Sequence, residues 1–162
     1  MSRTPHKETS EIARTLFRDH LVSGPYERLF LTPGEEVEYV HNYLTLLDGI
    51  LEYKFNIAEY HNLGVIGLQS VLGNVSAVVI EPENLKKLPT FIQDTRTMYV
   101  VDSIDAVYEQ VEKLGVPILQ PRTPNIMGAQ GRLQFSSNYI IEIVEATNED
   151  LFHPNPKELG YL

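Results

Sequence analysis

The chain has 162 residues and a net charge of −9 at pH 7, from 22 acidic against 13 basic side chains, so a nucleic-acid partner is not expected. It contains no cysteine, which excludes disulfides, thiolate metal sites and cysteine nucleophiles. Residues 1–30 lack the basic start and apolar run of a secretory signal, and no stretch approaches ~20 apolar residues, so we expect a cytoplasmic protein without membrane contact.

The N-terminal region, residues 1–26, is predicted to be a polar tail with a short amphipathic helix over residues 11–22. From residue 27 to residue 81 the pattern predicts a first β-α-β-β-β module. Its helix covers residues 35–48, and its strands cover residues 27–32, 50–58, 64–72 and 75–81. A linker rich in proline and lysine follows over residues 82–95.

A second module repeats that order over residues 96–146, with its helix at residues 103–114. Its strands are predicted at residues 96–101, 116–120, 131–136 and 139–145, with a loop at residues 121–130. The apolar stripes of the two helices match, and their members are Val37, Val40, Leu44 and Leu47 in one and Ile104, Val107, Val111 and Leu114 in the other. The repeat indicates a duplicated unit. The remaining residues, 147–162, are predicted to form a tail on the surface or on a partner.

This arrangement predicts an α+β fold in which two helices cover one face of an antiparallel sheet and the other face curves around a cavity. Two stretches of the second module, VVDSIDAVYEQVEKLGVPILQP and GRLQFSSNYIIEIVE, carry a family resemblance. They resemble the second half of a vicinal oxygen chelate protein, the superfamily of glyoxalases, bleomycin-resistance proteins and extradiol dioxygenases. The resemblance covers about residues 27–146 and implies two modules forming a half-closed antiparallel barrel around one site. It is specific for a fold and weak for function, because one fold hosts many activities.

The resemblance also implies metal-ligand positions on the first and last strands of each module. In this chain those positions hold Arg28, Val78, Arg96 and Glu142. Only Glu142 can bind a metal ion, since hard divalent ions need several nitrogen or oxygen donors and arginine stays protonated. A one-residue shift would replace Arg28 by Glu27 and supply at most two carboxylates. We therefore expect neither a metal nor another cofactor.

Strand alternation predicts which side chains point into the cavity. Arg28 and Phe30 on the first strand, Arg96 and Met98 on the fifth, and Glu142 on the eighth are expected to converge. We interpret the two arginines as a binding site for a carboxylate, enolate or phenolate group of a small ligand. The alternative is structural: the arginines reach into water, or one of them forms an internal ion pair with Glu142.

The loop at residues 121–130 is implied by the resemblance to rim the cavity. Its candidate ligand contacts are Arg122, Ile126, Met127 and Gln130, and the alternative is a plain connecting loop.

Three functional hypotheses remain open from the sequence. The first is a small-molecule binding protein of the glyoxalase or bleomycin-resistance type, with a metal-free site for a small anionic or oxygen-rich ligand. The second is an enzyme, either an isomerase or lyase with Glu142 as general base or a divalent-metal lyase or dioxygenase. The third is a scaffold domain with a filled cavity. Because a half-open sheet leaves edges that a second copy can cover, we expect a homodimer.

Overall fold

The computed structural model describes residues 17–162, which form one sheet of eight strands flanked by helices. The strands are β1 Leu21–Leu31, β2 Ile50–Ile57, β3 Leu63–Gln69, β4 Asn74–Val79, β5 Thr95–Val101, β6 Ile118–Pro124, β7 Gly128–Ser136 and β8 Tyr139–Ala146. The α-helices are α1 Glu35–Leu46, α2 Pro82–Leu85, α3 Thr90–Gln93 and α4 Ile104–Lys113. Short 3-10 helices lie at Arg18–His20, Ala58–Tyr60 and Glu149–Leu151. Within this described part, no helix is long and apolar enough to cross a membrane.

The strand order is β2-β3-β4-β1-β5-β8-β7-β6, so each module occupies one half of the sheet and β1 and β5 join the halves. This confirms the predicted α+β architecture of two β-α-β-β-β modules. The sheet is mixed rather than wholly antiparallel, because β4 pairs parallel with β1 and β8 pairs parallel with β5. The reason is topological: after the helix, two antiparallel turns bring the fourth strand of each module back beside the first in the same direction.

Three hydrophobic clusters stabilise this arrangement. One lies between the two halves of the sheet, inside the barrel, and the other two lie under α1 and α4 on the outer faces. The central members of both predicted stripes are buried there, including Val40 and Val107. The outermost members are not: Val37 is 44% exposed and Leu114 is 60% exposed, because they lie at the helix ends. Tyrosines at positions 43 and 108 complete the buried faces instead.

Several predicted boundaries differ from the structure. Residues 11–16 of the predicted N-terminal helix lie outside the described residues. The described remainder of that range forms the short 3-10 helix at Arg18–His20 and the start of β1 at Leu21 rather than an α-helix. The predicted loop at 121–130 is shorter, because β6 extends to Pro124 and β7 begins at Gly128. Proline at positions 121 and 124 obscured that strand in the sequence, although an edge strand tolerates proline.

The C-terminal tail packs on the chain itself. Tyr161 is buried in the cluster under α1, and its carbonyl lies 2.9 Å from the Nδ1 of His41. Upstream, Phe152 forms an isolated bridge with Tyr53 on the edge strand β2. The tail therefore covers part of one sheet edge, and the expected homodimer stays a prediction.

Candidate functional site

The inner faces of the two halves of the sheet enclose a cavity, which we call the barrel cavity. Its polar lining consists of Arg28, Tyr60, Asn125, Gln130, Arg132 and Glu142, and its apolar lining includes Tyr53, Phe55, Leu63, Val78, Met98, Met127 and Val144. The space that these side chains leave is small, about 40 Å³ for the centre of a water-sized molecule. A water molecule needs about 10–15 Å³ by this measure, so the cavity holds only a small chemical group.

Close packing on β3 keeps one wall of the barrel cavity in place. The ring of Tyr53 lies directly over Gly67, where an added Cβ would come within 2.3 Å of the ring carbons. Only glycine leaves room for the ring at this position, and the ring is thereby held flat against the sheet as part of the cavity wall.

A buried ion cluster occupies the polar side of the barrel cavity. One oxygen of Glu142 on β8 forms a salt bridge with Nη2 of Arg132 at 2.6 Å, and the other oxygen accepts a hydrogen bond from Nη2 of Arg28. Arg132 lies directly opposite Glu142 in the β7–β8 pair, and Arg28 comes from β1 in the other module. All three side chains are buried, so the cluster holds two cations and one anion, a net charge of +1.

All three nitrogens of the Arg132 guanidinium group have partners. Its Nε donates to Oγ1 of Thr95 at 2.9 Å, and its Nη1 donates to Oε1 of Gln120 at 2.6 Å and to Oε1 of Gln130 at 3.3 Å. The ring of Phe91 lies 5.8 Å from the guanidinium carbon, within the range of a cation–π contact. These contacts leave Arg132 little freedom to reorient toward a guest.

Arg28 is held much less completely. Its Nη2 donates to Glu142, but its buried Nε has no hydrogen-bond partner among the residues that the structure describes. A buried donor without an acceptor costs free energy, and most such groups in proteins are satisfied. The free donor lies in a side chain that lines the barrel cavity.

Glu142 remains ionised in this cluster. Burial by itself would raise the pKa of its carboxyl group, but the charges of Arg132 and Arg28 and the hydrogen bond from Arg28 outweigh burial and lower the pKa. Since one carboxylate oxygen accepts a hydrogen bond from Arg28 and the other forms a salt bridge with Arg132, Glu142 is a poor proton acceptor.

The predicted convergence of Arg28 with Arg96 is wrong. Arg96 is exposed and does not line the cavity, because a β-bulge between Thr95 and Thr97 interrupts the alternation of β5. The bulge buries Thr95, whose hydroxyl group contacts Arg132, the arginine that joins Arg28 instead. The alternative in which Glu27 faces the cavity also fails, since Glu27 is exposed.

The other predicted contacts divide into two groups. Val78, Met98, Met127 and Gln130 line the barrel cavity, and Phe30 is partly buried against the cluster that surrounds it. Arg122 lies outside: it is exposed and forms a salt bridge with Glu145 at 2.9 Å. That carboxylate also accepts from the backbone nitrogen of Ile104 at the start of α4, so the pair belongs to a helix terminus. Contact of any of these residues with a ligand stays a prediction.

Sequence reasoning missed Arg132, the second arginine of the cluster. It lies in the Gly-Arg strand, and the alternation of Gln130, Arg132 and Gln134 on β7 was the available signal. The predicted loop at residues 121–130 hid that alternation, because it delayed the start of the strand to residue 131.

A surface groove leads to the barrel cavity. It lies between the turn after β2 and the turn that joins β6 to β7, and it has a volume of about 580 Å³. Four residues line both spaces, namely Ile57, Tyr60, Asn125 and Gln130. We call it the mouth groove.

The donor set of the site does not fit a metal ion. Among the described residues, Glu142 is the one carboxylate in the barrel cavity, and its neighbours are two cations. Across residues 17–162, no three or more histidine, aspartate or glutamate side chains lie close enough to form a metal site.

We expect zinc, nickel, manganese and iron to show no stoichiometric binding, because two arginines repel a cation at this site. A chelator should leave the melting temperature unchanged, since no folding free energy comes from metal. Elemental analysis after gel filtration, with the chelator-treated protein as control, measures this. One retained equivalent of metal would contradict the prediction.

Comparison with known proteins supports the fold. The sequence matches no protein-family model and no curated protein. An uncharacterized protein from Methanosarcina mazei is 21% identical, with a TM-score of 0.60 over 81% of this chain and 97% of that one. Methylmalonyl-CoA epimerase from Mycobacterium tuberculosis is 13% identical, with a TM-score of 0.59 over 85% of this chain and 97% of that one. A mutant of 4-hydroxymandelate synthase from Streptomyces coelicolor is 11% identical, with a TM-score of 0.52 over 82% of this chain and 41% of that one. The chain has the vicinal oxygen chelate fold, as its resemblance implied.

Proposed function

We propose that this chain is a small-molecule binding protein whose barrel cavity receives the anionic or oxygen-rich group of a ligand without a metal ion. One observation carries the proposal: Arg28 presents a buried Nε that has no hydrogen-bond partner in residues 17–162, inside a cluster that already has one cation in excess. An oxygen acceptor at this position would satisfy the donor, and a negative charge on it would neutralise the cluster.

The two arginines have different roles in this proposal. Arg132 positions Glu142 and is itself held by Thr95, Gln120 and Gln130. Arg28 has the donor capacity to hold the guest. A guanidinium group binds a carboxylate through two parallel hydrogen bonds, and the apolar surroundings strengthen them because water competes less there.

The dimensions of the site indicate the shape of the ligand. The barrel cavity has room for a carboxylate, enolate or phenolate oxygen but not for a large body. The mouth groove is far larger, at about 580 Å³, and includes the apolar side chains of Ile57 and Ile126. We therefore propose a ligand with one charged or polarised oxygen group and an aromatic or alkyl body in the mouth groove.

The enzyme hypothesis that uses Glu142 as a base receives less support. A general base needs a free lone pair directed at the substrate and a pKa near the working pH. Glu142 has both oxygens engaged by arginines, and its pKa is lowered. The scaffold hypothesis is less favoured for a different reason, since a filled cavity would leave the Nε of Arg28 permanently unsatisfied.

Benzoate titrated by isothermal calorimetry tests the proposal, with neutral benzamide as the ligand control. We expect Arg28→Ala to weaken benzoate binding tenfold or more, because hydrogen bonds to a charged group contribute about 1.5–3 kcal/mol. Arg28→Lys should fall between Arg28→Ala and the parent, since a point charge replaces a planar fork. Arg96→Ala is the matched control variant: it removes the same charge from an exposed position and should leave binding unchanged.

Two results would contradict the proposal. One is equal weakening by Arg28→Ala and Arg96→Ala, which would mean that benzoate responds only to the overall charge. The other is a set of small acids and phenols that gives neither heat nor a shift in melting temperature. In that case the scaffold hypothesis would take its place.

A further inference from the structure

A second cavity, separate from the barrel cavity, has a negatively charged lining, whereas the cluster in the barrel cavity carries net positive charge. It has a volume of about 370 Å³ and lies where β1 begins and where β5 and β8 end. Its lining includes Glu52, Gln69, Val100, Thr147 and Phe152, and it shares no lining residue with the barrel cavity. This volume lies within the ordinary range of small-molecule sites.

The central group of this cavity is the carboxylate of Glu52. It is only 7% exposed, and it lies at a β-bulge between Leu51 and Tyr53 on the edge strand β2. Within the described part of the chain, its one side-chain donor is the hydroxyl group of Tyr26, at 2.9 and 3.0 Å from the two carboxylate oxygens. No lysine or arginine in residues 17–162 forms a salt bridge with it. A carboxylate accepts about four hydrogen bonds, so acceptor capacity remains.

The hydrogen bonds around Tyr26 leave its proton directed at Glu52. Gln69 donates its Nε2 hydrogen to the Tyr26 hydroxyl oxygen at 2.7 Å, and the Ser23 hydroxyl lies 3.1 Å away. Burial raises the pKa of Tyr26 to about 12, which keeps it a donor. Burial also raises the pKa of Glu52, with smaller opposing effects from the Tyr26 hydrogen bond and from His153. The site is therefore a largely desolvated acid that lacks a full cationic partner.

The remaining walls favour a cation with a short apolar body. Among the described residues, the lining contains neither lysine nor arginine, but it includes His153 and a second acid, Asp102, whose carboxylate lies 2.8 Å from Nδ1 of His20. Valines on β1 and β5 and the ring of Phe152 supply apolar surface. The backbone nitrogen of His153 donates to the carbonyl oxygen of Glu52 at 2.6 Å, so the C-terminal segment is fastened across the cavity as a wall.

We infer that this second cavity binds a small organic cation, with a primary ammonium group at Glu52 and a short apolar body against Val100 and Phe152. An ammonium group has three donors and a positive charge, so it supplies what the buried carboxylate lacks. The inference is independent of the proposed function, because the two cavities have separate linings and opposite charge.

Calorimetry with benzylamine tests this inference, with benzyl alcohol as a neutral ligand of the same shape. We expect the parent protein to bind benzylamine at least tenfold more tightly than benzyl alcohol. Glu52→Gln keeps the shape of the side chain and should weaken benzylamine tenfold or more. Glu112→Gln is the matched control variant: it removes the same charge from an exposed position on α4 and should have no effect.

Amide NMR of the parent protein gives a result that does not depend on whether Glu52→Gln folds. Benzylamine should shift the signals of Val100, Thr147 and His153 and leave those around Glu142 in place. Equal affinity for benzylamine and benzyl alcohol, unchanged binding in a folded Glu52→Gln variant, or shifts centred on the barrel cavity would each overturn the inference. Benzoate binding tests the other cavity, so failure here does not affect the proposed function.

Discussion

Glu142→Gln is expected to lower the free energy of unfolding by about 3–5 kcal/mol, because removal of one member of a buried ion cluster leaves uncompensated charge. In the variant, Arg28 and Arg132 would face each other with a neutral amide between them. Urea denaturation followed by circular dichroism measures the change. Glu109→Gln is the control: that carboxylate pairs with Lys113 on the surface, and its loss should cost about 0.5 kcal/mol or less.

Added benzoate should stabilise Glu142→Gln more than it stabilises the parent protein. The variant holds two buried cations, so an anion in the barrel cavity restores more of the lost charge balance. Melting curves at increasing benzoate concentration, with benzamide as the neutral control, measure the difference. If Glu142→Gln were as stable as the parent protein, or if benzoate did not stabilise it, the carboxylate of Glu142 would not balance the charge of the two arginines.

The same cluster sets the sign of one pH dependence. Because the pKa of Glu142 is lower in the folded protein than in the unfolded chain, the cluster contributes stability above the ordinary glutamate pKa of about 4.3. That contribution disappears as the pH falls through the pKa of the folded protein. Glu142→Gln lacks the titrating group, so the difference in stability between parent and variant should shrink as the solution is acidified.

Arg132→Met is expected to destabilise the protein by about 3–5 kcal/mol, because it also removes one member of the buried ion cluster. More partner side chains are affected than in Glu142→Gln. The substitution removes one of the two arginine partners of Glu142. It also leaves the side-chain oxygens of Thr95, Gln120 and Gln130 without the hydrogen bonds that Arg132 donates to them. Buried acceptors without donors add their own cost. Arg28→Met removes one pairing only and should therefore cost less, while it should weaken benzoate binding tenfold or more.

Arg96→Met provides the control for both arginine variants. The side chain is exposed, and an exposed substitution usually changes stability by about 0.5 kcal/mol or less. Chemical denaturation of the three variants under the same conditions measures the order of their free energies of unfolding. If Arg132→Met were no more destabilising than Arg96→Met, the buried network would contribute nothing to the fold.

The repeat and its alternating pattern predicted the fold well. Helix stripes and strand alternation are local periodicities, and their duplication indicated two modules before any contact was known. The errors in the predicted fold lie at the ends of helices and strands. Val37 and Leu114 continue the apolar stripes but lie at the helix ends and remain exposed. The strand at Ile118–Pro124 was cut short because its prolines indicated a loop.

The site was predicted only in part. Arg28 and Glu142 follow from alternation along single strands, and both belong to the buried cluster. Arg96 was misplaced, because alternation holds only while each residue of a strand pairs in turn, and a bulge adds one residue without a partner. The sequence pattern did not indicate Glu52 as a site residue. A bulge between Leu51 and Tyr53 interrupts the alternation of β2 at this position.

Local patterns in the chain are enough to predict the duplicated architecture, the lack of cysteine chemistry and the presence of an arginine and a glutamate on inward-facing strands. Which arginine completes the cluster, and which carboxylate lies in a cavity of its own, depends on the folded structure. Periodicity is a property of neighbouring residues, whereas the charge balance of a buried site depends on side chains from β1, β7 and β8 that meet across the sheet. A single bulge changes those encounters without changing the composition of the chain.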